Sequence, residues 1–205
     1  MEAGNVSAII SAVAGINGVL LGNSFVAIKE YVTSRTKRRK DMTYLGIIVV
    51  SHLDRFANGC MHVAWDDGTE CGRPAGEDGQ NVPTTRPPEF QPLDISVEWK
   101  LLPRDLLYPI LRLPDRQEQL QSELVGVQDY DYSPPDHTEY FWVRTRGYAE
   151  LGLQAADLAR KLRIHSGIPP EETHLGRDQN MKDVMEEVDA KRQAYELRRS
   201  STPTV

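Results

Sequence analysis

From Val6 to Ile28 the chain runs 23 residues without a charge, then changes character within a few positions. Eleven of the 23 are Val, Ile, Leu or Phe, against Asn17, Asn23, three serines and three glycines. As a helix the stretch would be about 34 Å long at about 1.5 Å per residue. That crosses a hydrocarbon core of about 30 Å with some tilt. Each aliphatic side chain favours insertion by roughly 0.3–0.6 kcal/mol, and the polar and small residues oppose it. The pattern predicts one transmembrane helix over 6–28, preceded by a short tail at 1–5. The competing readings are a buried core helix of a soluble protein and an arm for nucleic acid.

The residues that follow weigh on this choice. Lys29, Arg35, Lys37, Arg38, Arg39 and Lys40 form a basic juxtamembrane belt over 29–40. A cleaved signal peptide carries its positive charge before the apolar region, and here it comes after. By the positive-inside tendency the N-terminus faces outside and the rest of the chain the cytoplasm. The belt sets topology. Near anionic lipid each such residue can also contribute about 1 kcal/mol.

Small residues recur within the apolar stretch. Ser7, Ser11 and Gly15 are spaced by four, and Gly18 and Gly22 repeat that spacing. Small residues at this interval let helices approach closely in lipid, so a homo-oligomer through the membrane helix is expected. A polar-faced oligomer could line a pore.

Beyond the belt the period stays helical. Leu45, Val49, Phe56, Cys60 and Val63 recur at three-to-four spacing, with Leu53 filling the gap near His52. No Pro interrupts residues 1–65, so the membrane helix should continue into this one, with Gly46 as a tolerated weak point. Ile47 to Val50 is apolar all round for one turn and should be covered by more than one partner. Residues 66–92 carry turn signals throughout: Asp67-Gly68, Asp78-Gly79, Pro87-Pro88 and Pro92. A loop of that length is functional or disordered more often than not, and is the first place to look for a ligand.

Helical patterning then resumes. Pro103 suits a first helical position, Pro109 should kink or end that segment, and Pro114 starts a second piece with Leu120, Leu124 and Val127 on one face. Asp136 and Glu139 read as an N-cap and its reciprocal partner. Behind them Phe141, Tyr148, Ala155 and Leu162 fall seven apart, with Leu151 and Leu158 between, as in a bundle seam. Gly167 and Pro169-Pro170 stop it. Residues 178–199 are mostly charged around a thin stripe of Met181, Val184, Val188 and Tyr195, either a surface helix or a partner-binding tail. The expected fold is all-α: an N-terminal transmembrane helix continuing into a small helical-bundle cytoplasmic domain at 41–169, with a polar helical tail at 170–205.

Composition narrows the partners. The 205 residues carry a net charge of -6, yet positions 1–40 hold 6 of the 24 basic and 2 of the 30 acidic residues. The body from 41 onward is therefore net -10, with 18 basic and 28 acidic side chains. An acidic body is a poor surface for phosphate backbones, which argues against nucleic acid as a partner. Two cysteines do not make a disulfide framework.

Candidate chemistry is thin. Cys60, His62 and Cys71, with Asp66 or Asp67, are potential metal ligands, but their spacing matches no zinc pattern, and a buried structural cysteine explains Cys60 equally well. Asp136, His137 and Glu139 could make an acid–base group, although capping accounts for two of them. His52 and Asp54 are two apart and would not face each other on a helix. His165 lies in a last turn, where a cation suits the helix dipole. Tyr140, Phe141, Trp142 and Tyr148 form the densest aromatic cluster, as core or as a partner groove. There is no P-loop, dinucleotide turn, G-x-S-x-G or H-E-x-x-H. No catalytic residue, cofactor or metal is assigned.

The strings YLG at 44–46, LDRF at 53–56, GC at 59–60, DDGTECGRPAGEDG at 66–79 and PPDHTEYFWVRTRGYAELGL at 134–153 resemble a group of uncharacterised bacterial proteins. In that group a short N-terminal membrane segment precedes a helical cytoplasmic domain. The resemblance implies the bacterial inner (plasma) membrane, single-pass, and no particular activity. Two functions follow as expectations. One is a membrane-anchored partner-binding or scaffolding module at the cytoplasmic face, whose partners are membrane lipid and a protein. The alternative is a small self-associating membrane effector that perturbs the bilayer.

Overall fold

The computed structural model describes the backbone of residues 3–130, 133–170 and 175–201, and the side chains of 28–130, 133–170 and 176–200. The chain is all-helical. Helix α1 spans Ala3–Ala64, α2 Arg104–Leu111, α3 Leu113–Tyr130, α4 Thr138–Ser166 and α5 Leu175–Ser201. Between α1 and α2 lie two-residue strands β1 (Thr69–Glu70) and β2 (Arg73–Pro74), paired antiparallel, and two short 3-10 turns. The chain divides into two compact units, residues 1–42 and 43–205, and α1 contributes to both.

In the first unit, residues 28–40 are exposed at every position. Among the described residues no helix is long and apolar enough to cross a membrane. The side chains of the apolar stretch up to Ala27 lie outside the described residues. So do those of Ser7, Ser11, Gly15, Gly18 and Gly22, and the transmembrane helix gains no support from the fold.

The second unit is a bundle organised around α4. Phe141, Tyr148, Leu151, Ala155, Leu158 and Leu162 are all buried, as the heptad spacing predicts. The opposing face of α1 buries Leu45, Val49, Leu53, Phe56, Cys60 and Val63, again as predicted. Helices α2, α3 and α5 pack against α4. Gly152 lies where three helices meet: a Cβ there would come within 3.0 Å of the Cys60 Cβ on α1 and 2.7 Å of the Met181 sulfur on α5. Gly46 is buried against Ser166, the last residue of α4, and Ile168 just beyond it. It is a close-approach site rather than the weak point expected of a helical glycine.

Several local expectations are corrected. Ile47 is 53% exposed, so the apolar turn at 47–50 is covered on one side only. Pro103 is the N-cap of α2, and Pro109 lies inside that helix, which continues two residues beyond it to Leu111. The N-cap of α4 is His137 in a left-handed conformation (φ 47°), not Asp136, and the His137 side chain makes no capping bond. Glu139 turns instead to Arg192 on α5, with Arg192 Nη2 2.8 Å from its Oε1. Gly167 ends α4 at φ 67°, satisfying the carbonyls of Arg163 and Ile164, as expected of a C-terminal glycine. Helix α5 buries Met181 and Val188 against the bundle and is a packed element of it.

Candidate functional site

The basic belt has a simple geometry. At about 100° per residue, Lys29, Arg35, Lys37, Arg38, Arg39 and Lys40 fall on every side of α1 rather than along one stripe. All six are exposed, and so are Ile28 just before Lys29 and Tyr31 and Val32 just after it. A stripe would suit a helix lying in an interface. A collar suits a helix that passes through one, with an aromatic residue and aliphatic groups next to a ring of cations.

The loop 66–92, expected to be functional or disordered, is tied to the rest of the bundle at several points. Its anchor is the ion pair between Asp66 and Arg144, with side chains 1% and 2% exposed and Nη1 3.0 Å from Oδ2. Asp66 also accepts hydrogen bonds from the Gly68 N–H (3.1 Å), the Thr84 N–H (2.9 Å) and hydroxyl (2.8 Å), and the Thr85 N–H (2.8 Å). Arg144 donates to the carbonyls of Val63 and Thr85, which ties the end of α1 and the loop to α4. Burial alone would push the Asp66 carboxyl up. The hydrogen bonds from Thr85, Thr84 and Gly68 and the Arg144 charge outweigh it and hold the group below the usual carboxylate range. Further along, His137 bonds Gln80 at 2.7 Å, the Gln117 amide donates to the Pro88 carbonyl, and Phe90 packs on Phe56 with ring centroids 5.5 Å apart.

A second ionic cluster joins α1, α4 and α5. Arg163 Nη2 lies 2.5 Å from Asp54 Oδ2, and Arg177 Nη1 lies 3.6 Å from Asp54 Oδ1 and 3.1 Å from Asn58. Asp54, Asn58 and Arg163 of this cluster line an open cleft of about 670 Å³, together with Ile47, Arg55 and Pro169. A smaller cleft of about 380 Å³ lies between the end of α1, the entry of α4 and α5, and is lined by Trp65, Asp67, Asp136, Trp142 and Glu187 among others.

The sequence-derived chemical candidates do not assemble. Cys60 is fully buried, where burial pushes its thiol up, whereas Cys71 is exposed at the turn between β1 and β2. Among the described residues no cluster of three His, Cys, Asp or Glu could hold a metal ion, and Asp66, a suggested fourth ligand, is committed to Arg144. His137 and Glu139 point to different partners, Gln80 and Arg192, so the acid–base group is not formed. His52 is exposed while Asp54 is buried against Arg163. Of the aromatic cluster, Tyr148 and Phe141 are core. Trp142 instead stacks edge-to-face on Tyr195 of α5 at 5.5 Å. Sequence reasoning missed both buried ionic clusters. The partners are 78 and 109 positions apart, and an isolated Asp or Arg carries no local sign of its mate.

No protein family, curated protein or solved structure matches the chain.

Proposed function

We propose that the protein is a membrane-anchored module whose acidic helical body binds a protein partner at the cytoplasmic face of a bacterial inner membrane. The observation that carries this reading is the collar: cations on all sides of an exposed helical stretch that follows 23 uncharged residues in the same helix. A continuous helix satisfies its own backbone hydrogen bonds, the condition for entering hydrocarbon. The collar faces an anionic surface at its own level, while the net charge of -10 keeps the body off lipid and off nucleic acid. The resemblance to bacterial proteins with an N-terminal membrane segment points the same way.

The test is an alkaline carbonate wash of membranes that contain the full chain. Retention in the pellet is the expected result. Release into the supernatant would overturn the anchor and leave residues 6–28 as an assembly helix. A second reading, a self-associating membrane effector, rests on the four-residue spacing of Ser7, Ser11, Gly15, Gly18 and Gly22. It requires that Gly18→Leu abolish oligomers in crosslinking and that overexpression depolarise cells.

A further inference from the structure

The 380 Å³ cleft at the entry of α4 has an unusual wall. Two indoles, Trp65 and Trp142, face it together with three carboxylates, Asp67, Asp136 and Glu187. One ammonium, Lys191, also lines it and is already paired with Glu187 at 2.6 Å. Two carboxylates are thus in excess over cations. Asp67 spends one oxygen on the Thr69 N–H and hydroxyl, at 3.0 and 2.8 Å. Deeper in the wall sits Thr145, 9% exposed, whose hydroxyl has no hydrogen-bond partner among the described residues. Trp65 is 52% exposed, and among the described residues no cation of the chain lies over either indole.

These features favour one ligand chemistry. The positive end of the α4 dipole opens near Thr138, but an anion entering there would meet three carboxylates. A neutral apolar group would leave the carboxylates and the Thr145 hydroxyl without partners. A guanidinium or ammonium group meets each requirement: an aromatic face, a charge-assisted bond to carboxylate, and a donor for the threonine oxygen. The acidic field of the body also draws cations toward it.

We propose that this cleft receives an arginine or lysine side chain from a partner polypeptide. The cation rests against the indoles, pairs with Asp136 and donates to Thr145 Oγ1. This inference rests on the partner-binding reading above and supplies the site and its chemistry.

The test titrates the full chain, in uncharged detergent micelles, with hexa-arginine peptide, read by tryptophan fluorescence and calorimetry. Saturable binding is expected. The double variant Asp136→Asn/Glu187→Gln should weaken it at least tenfold. The charge-matched control Glu118→Gln/Asp129→Asn, at exposed positions on α3 that line neither cleft, should stay within twofold of the parent. Equal weakening by both variants would mean a general attraction to the acidic surface and would overturn the site. So would unchanged affinity in the cleft variant, or no binding at all. The two readings fail separately: a chain that washes off membranes but keeps cleft-dependent binding loses the anchor and retains the site.

Discussion

The six basic residues from Lys29 to Lys40 all lie exposed on α1, whereas three arginines of the body, Arg144, Arg163 and Arg177, are 1–8% exposed and each faces a carboxylate. The difference extends to residue type. The belt mixes three lysines and three arginines, as a region can where charge alone matters. The buried positions are all arginine, whose planar fork can bond several acceptors at once, as Arg144 does with Asp66, Val63 and Thr85. One set is available to an external anion, and the other is spent inside the fold.

The sharpest way to break this comparison is at Arg144. Replacing it by Met leaves Asp66 buried without its partner and should cost about 3–5 kcal/mol, measured as a shift in the urea midpoint of the full chain. Arg144→Lys should recover only part of the loss, because one ammonium cannot reach Asp66, Val63 and Thr85 together. If lysine restores full stability, buried and exposed cations are interchangeable and the contrast fails.

The next effect tests packing. Gly152→Val places bulk between Cys60 and Met181 and should cost about 1–3 kcal/mol by overpacking, read from the same denaturation curve. Acid then separates the two sets by titration. The Asp66 carboxyl titrates below its unfolded value, so its contribution is present above the ordinary carboxylate range and is lost as pH falls through its folded pKa. Stability should therefore drop on the acid side, and Asp66→Asn should flatten that limb while lowering the plateau. The smallest stability effect belongs to the belt. Replacing all six cations by Gln should change the urea midpoint by less than about 0.5 kcal/mol, while binding to vesicles rich in anionic lipid falls steeply. A large stability loss there would show that the belt is structural.

How much of this was legible depended on the range of the signal. The seam of α4 and the buried face of α1 could be read because burial imposes a period on one helix. Gly167 could be read because a left-handed C-terminal residue selects glycine. What failed was set by tertiary neighbours. Asp136 looks like a cap, yet His137 takes that position while its ring holds Gln80 of the loop. Ile47 looks like core but lacks a covering element. The 66–92 loop looks free, because the residues that hold it, Arg144, Gln117 and His137, come from helices far along the chain. The acidic cleft likewise joins residues of the 66–92 loop, α4 and α5 that no local pattern connects.

The two cysteines lend the molecule a built-in clock. Cys71 is open to solvent on the turn between β1 and β2, and a thiol reagent should consume it at once. Cys60, sealed between α1 and α4 and held in its unreactive thiol form by burial, can react only when those helices part. The lag between the first and second labelling events would thus report how often the bundle breathes under native conditions.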